Sequence, residues 1–98
     1  MNARRVIARN SIELAKVLDL SEADRVALEL QIELLEEILR QVKRAGLTHQ
    51  ELARLSRTSR PRVTAILNGN LEGVSTDLLL RILSGLGVRV MLRFRRAA

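Results

Sequence analysis

Residues 47–69, LTHQELARLSRTSRPRVTAILNG, constrain this fold most, because they hold start and stop signals for two short helices with almost no chain between them. Thr48 and Glu51 have the spacing of a capping box, in which the threonine hydroxyl accepts the Glu51 N–H and the carboxylate accepts the Thr48 N–H. Leu47 and Leu52 have the spacing of a hydrophobic staple across that cap. The second helix has Ser59 as its cap, Pro61 in the first turn where a missing N–H is harmless, and Val63, Ile66 and Leu67 as an apolar stripe. A residue before proline avoids the α region, so Arg60 competes with Ser59 as the cap, without moving the exposed face. Asn68-Gly69 marks the end.

Arranged this way, the run resembles the helix-turn-helix of the Cro/CI-type (XRE) regulators. It follows their pattern of LTQ-ELA, a small turn, then S-R-x-x-V-S-x-I-x-NG, over roughly a quarter of the chain. The resemblance implies that Thr48 and the residue after it approach a DNA phosphate, and that the helix beginning near Ser59 lies in the major groove. His49 stands where the family usually has Gln, and Arg57 where the turn usually has Gly. A turn position with positive φ costs a non-glycine residue about 1 to 2 kcal/mol. Arg57 either offsets that strain with a phosphate contact or is a tolerated surface arginine.

At about 100° per residue, Val63, Ile66 and Leu67 turn toward the core, Pro61, Ala65 and Asn68 outward, and Arg62 and Thr64 to the flanks. A small side chain such as Ala65 lets the backbone approach base edges and can meet a thymine methyl, while Arg60 or Arg62 can fork onto guanine O6 and N7. Arginine binds phosphate equally well, so their roles stay open. The candidate DNA-contacting residues are Thr48, His49, Gln50, Arg57, Ser59, Arg60, Pro61, Arg62, Thr64, Ala65 and Asn68.

Charge supports a polyanionic partner. The net charge is +6, but residues 1–42 hold six Lys/Arg and eight Asp/Glu, whereas residues 43–98 hold eleven and three. The basic part contains the two-helix run, the electrostatic footprint of a nucleic-acid binder. A membrane surface is the rival polyanion, but the second helix lacks the bulky apolar exposed face that insertion needs. At 98 residues the chain makes one small domain. With Phe94 its only aromatic residue, its core is aliphatic, a composition that leans helical.

Other chemistry is poorly provided for. With no cysteine, disulfides and thiolate metal or redox sites are out of reach. No apolar run approaches about 18 residues and no cleavable leader is evident, so the expected location is the cytoplasm. The one histidine, His49, has no nucleophile or catalytic carboxylate constellation around it, and there is no phosphate-cradling glycine loop or metal cluster. The expectation is a non-enzyme with no cofactor and no metal.

Residues 1–10 are basic and weakly patterned and are expected to be a flexible end, a solubilising tail rather than an arm in which Arg4, Arg5 and Arg9 reach DNA. Residues 11–98 then form one domain. A short helix is expected over 11–18, with Ile12, Leu14, Val17 and Leu18 apolar. A long one, capped by Ser21, runs to Ala45 with Gly46 as its stop. Its face of Leu28, Ile32, Leu35, Ile38, Leu39 and Val42 reads as core, opposite an acidic stripe of Glu29, Glu33, Glu36 and Glu37. Ala27, Leu30 and Leu34 widen the apolar surface sideways, to be covered by the preceding helix folding back or by a second subunit.

Ser75 caps a further helix, stapled by Val74 and Leu79 and reaching Gly87. From Val88 the period becomes two, with Val88, Val90, Leu92 and Phe94 on one side and Arg89, Met91, Arg93 and Arg95 on the other. That alternation reads as a β-strand over 88–95. No other segment reads as a strand, so the simplest partner is a second copy across a two-fold axis. Such a homodimer would place two reading helices about 34 to 36 Å apart on a palindromic operator.

Over roughly residues 10 to 95 the chain resembles small XRE-family antitoxins of the HigA type, through the long helix, the central run, STDLLLRILSGLGV and the basic terminal strand. That resemblance fits the expected fold, a mostly α, five-helix, lambda-repressor-like domain with a C-terminal β-strand pairing across a dimer. It also implies operon autorepression and a toxin protein as partner. The contrasting expectation is a protein–protein interaction module that uses the same fold without specific DNA binding.

Overall fold

Ser21 opens the first helix in the computed structural model, which describes residues 21–96. Its hydroxyl accepts the Asp24 N–H at 3.2 Å, and Glu22 and Asp24 place negative charge at the positive end of the helix dipole. This helix, α1 (Glu22–Ala45), ends with Lys43 and Arg44 in its last turn and Gly46 beyond it, as expected. Three shorter helices follow: α2 (His49–Ser56), α3 (Arg60–Leu67) and α4 (Thr76–Gly85).

α4 packs on both α1 and α2, and α2 packs on α3. The shared core is aliphatic: Leu34, Leu35 and Ile38 from α1, Leu52 and Ala53 from α2, Val63 and Ile66 from α3, and Leu78, Leu79, Ile82 and Leu83 from α4. Burying each leucine- or isoleucine-sized side chain stabilises by about 1.5 to 3 kcal/mol relative to leaving it in water. Gln31 ties α1 to the start of α4, donating from Nε2 to the Val74 carbonyl at 3.0 Å and to Thr76 Oγ1 at 3.2 Å.

α2 and α4 approach closely at Gly85, where a Cβ would lie 2.9 Å from the Leu55 carbonyl oxygen. Beside that contact, Ser56 is fully buried and its hydroxyl has no hydrogen-bond partner among the described residues.

Several expectations need correction. Leu34, expected to be covered by the preceding helix or a second subunit, belongs to the buried core, because α4 packs on α1 and brings Leu83 to that side. Val26 and Leu30 remain exposed. The last helix stops at Gly85 rather than Gly87. The described residues contain four helices rather than five, since the helix expected over 11–18, like the basic 1–10 segment, lies outside them.

No strand forms among the described residues, and 88–96 run without regular structure. The physical reason is that a strand needs a ladder partner, and all other regular segments here are helical. Of the residues assigned to the strand's inner face, Val88 packs against the core, and its N–H donates to the Leu83 carbonyl at 2.9 Å. Val90, Leu92 and Phe94 are instead exposed, with Phe94 at 86%. No described helix is long and apolar enough to cross a membrane.

Candidate nucleic-acid interface

The two-helix unit begins with the capping box in full. Thr48 Oγ1 accepts the Glu51 N–H at 3.1 Å, and Glu51 Oε1 accepts the Thr48 N–H at 3.0 Å. The hydrogen bonds from the Thr48 backbone and hydroxyl hold the Glu51 carboxyl below its ordinary pKa, helped by the charge of Arg54 and opposed by desolvation. Leu47 packs against the core from its place before the cap.

The turn out of α2 is a Schellman motif. Thr58 N–H donates to the Ala53 carbonyl at 3.0 Å and Arg57 N–H to the Arg54 carbonyl at 3.3 Å. This requires Arg57 to be left-handed, and it is the only non-glycine with positive φ among the described residues, at φ 55 and ψ 48. The expected strain is therefore present. Ser59 then caps α3, its Oγ accepting the Arg62 N–H at 3.3 Å. Of the two competing caps the chain uses Ser59, and Arg60 begins the helix despite the proline after it.

α3 turns Val63 and Ile66 into the core, with Leu67 half-buried against it. On the other side, Ser59, Arg60, Pro61, Arg62 and Asn68 are exposed, and Thr64 and Ala65 are half-buried. From α2 and the turn, Thr48, Gln50 and Arg57 are exposed and His49 is half-buried. None of the candidate contact residues is sealed inside the protein.

Two side-chain contacts organise this surface. His49 Nδ1 lies 2.7 Å from Thr64 Oγ1, which bonds α2 to α3 directly. Arg62 Nη2 donates to the Gly73 carbonyl at 3.0 Å, reaching the loop that follows α3. That loop is shaped by Asn70, whose Oδ1 accepts the Glu72 N–H at 3.0 Å. Asn70 and Glu72 border the start of α3 beside Ser59, Pro61 and Arg62, yet neither was among the candidates. Their only signal in the sequence was the Asn spaced two residues before Glu, a turn-forming pattern.

The surface suits recognition of an extended anion. Arg57, Arg60 and Arg62 stand close in sequence on the exposed turn and first turn of α3, beside the positive end of that helix's dipole. Among the described residues no cluster of three or more His, Cys, Asp or Glu is placed to hold a metal ion.

A family model described as a helix-turn-helix domain matches residues 16–95. No curated protein and no solved structure matches significantly. The matched span takes in all four described helices as well as the capped pair around Arg57, and the chain accordingly belongs to the helix-turn-helix domain family.

Proposed function

We propose that this chain is a sequence-specific transcriptional repressor of the Cro/CI (XRE) type, acting as a homodimer on a palindromic operator. Membership of the helix-turn-helix domain family suggests a DNA-binding regulator. The observation that carries the finer reading is the braced α3. It is capped by Ser59, bonded to α2 through His49 and Thr64, and presents Arg60, Pro61 and Arg62 to solvent. A rigid helix with a small, basic outer face is what insertion into a major groove requires. The role is one of binding, and no catalytic step or cofactor is part of it.

The homodimer is supported by the tail. Leu92 and Phe94, on one side of a period-two segment, are 72% and 86% exposed, and the segment has no ladder partner among the described residues. Antiparallel pairing of two such tails would satisfy their backbone groups and cover that surface. The likeness to HigA-type antitoxins extends the proposal to autorepression and to a toxin protein as second partner.

Selection of bound sequences from a random duplex pool tests the reading. The expected result is an enriched inverted repeat, with affinity falling steeply as salt rises because several phosphates are neutralised. Absent or salt-insensitive binding would favour a protein-interaction module instead. Sedimentation of the full chain beside one truncated after Gly87 tests the dimer, and a monomer in both at micromolar concentration removes it.

A further inference from the structure

The exposed side chains of α3 are not equivalent. Thr64 is engaged with His49 on α2, and Arg62 is engaged through Nη2 with the Gly73 carbonyl. Arg60, the first residue of the helix, is exposed and has no side-chain hydrogen bond or ion pair among the described residues. A guanidinium recognises guanine by presenting two N–H groups together to O6 and N7. In Arg62 one end of that fork is committed to a loop carbonyl, whereas the whole fork of Arg60 is available.

Position points the same way. In helix-turn-helix docking, the N-terminal residues of the second helix meet the base edges. Arg60 is the first of these. Arg62 instead reaches back to Gly73, whose φ of 68 marks a tight loop already braced by Asn70.

We propose that Arg60 is the base-reading arginine of this chain, recognising a guanine in the major groove. Arg62 is a positioning residue that holds the loop after α3 in place. Pro61 and Ala65 supply small apolar surface on the same helix, suited to a thymine methyl near that guanine. The assignment rests on the DNA-binding reading above.

The test is selection from a random duplex pool using the full chain and its R60A, R60K, R62A and R62K variants, each checked for an unchanged helical circular dichroism spectrum. Wild type should show a guanine preference at one position of each half-site. R60A and R60K should both lose that preference, a discrimination of about five- to 150-fold, and leave other positions unaltered. R60K should keep more overall affinity than R60A, because lysine retains the charge but not the fork. The Arg62 variants should keep the wild-type base profile and bind all sequences more weakly by a common factor. Loss of one guanine position in R62K but not R60K would overturn the assignment. So would a wild type that binds with salt sensitivity but no base preference, which leaves DNA binding standing. A wild type that binds no duplex at any salt removes the underlying reading as well, and is recognised before any variant is compared.

Discussion

His49 Nδ1 and Thr64 Oγ1 lie 2.7 Å apart, joining the first residue of α2 to the middle of α3. Both side chains are half-buried, so the bond is partly shielded from competing water. A double-mutant cycle with His49→Ala and Thr64→Val should give a coupling of about 0.5 to 1.5 kcal/mol in urea denaturation. Thr64→Ser, which keeps the hydroxyl, should retain most of the stability. Additive single-mutant effects would mean that the contact contributes nothing.

Arg57 should be more strained than its counterparts at the other helix ends. The same pair of hydrogen bonds closes α3, where Gly69 has φ 92, and α4, where Gly87 has φ 79, but α2 closes on Arg57 at φ 55. Relief of left-handed strain predicts that Arg57→Gly stabilises by about 1 kcal/mol, after allowing for glycine's greater freedom in the unfolded chain. If Arg57 also neutralises a phosphate, the variant's log affinity against log salt should be shallower by about 1. A melting temperature at or below wild type would show that the turn is not strained.

What was legible in the sequence was local. Ser21, Thr48, Ser59 and Ser75 all cap helices, because each bond spans three residues and its geometry follows from residue type and spacing. The left-handed turn at Arg57 was legible only through the resemblance, because an arginine carries no such signal and the position is one where Cro/CI-type turns usually have Gly. The contacts that brace the candidate site were not legible. His49 with Thr64 and Arg62 with Gly73 join residues 15 and 11 apart, and Gln31 reaches Val74 across 43. Their pairing depends on how helices pack, which periodicity within one helix does not encode. What covers Leu34 was illegible on similar grounds, since periodicity shows an apolar flank but not that α4 lies beside it. The tail shows the converse limit, because its alternation is real but a strand is a property of two segments.

Gly85 should tolerate no side chain. A Cβ there would sit 2.9 Å from the Leu55 carbonyl oxygen and 3.1 Å from its carbonyl carbon, both backbone atoms that cannot rotate away. Alanine normally favours a helix, so propensity alone predicts that Gly85→Ala stabilises by up to about 1 kcal/mol. Overpacking should win, with α2 and α4 forced apart and a net loss of roughly 1 to 3 kcal/mol. Thermal unfolding of the variant decides which effect dominates, and an increase in melting temperature would show that the helices shift apart at little cost.

The capping box should make part of the stability acid-sensitive. Backbone and hydroxyl hydrogen bonds from Thr48 favour the charged form of Glu51 and lower its pKa in the folded protein. In the unfolded chain the same carboxyl titrates at its ordinary value of about 4.3. A lowered folded value means that the unfolded state takes up the proton first, so the contribution is complete above the ordinary value and is lost as pH falls through the folded one. Glu51→Gln keeps an oxygen that can accept the Thr48 N–H but removes the charge. Wild type should therefore melt above the variant at pH 7, and the gap should narrow as pH drops from about 5 toward the folded pKa. Melting curves across that range, with carbon-13 titration of the Glu51 carboxyl as an independent readout, check the expectation. A gap that stays constant with pH would show that the ionised form has no preferential stabilisation at this cap.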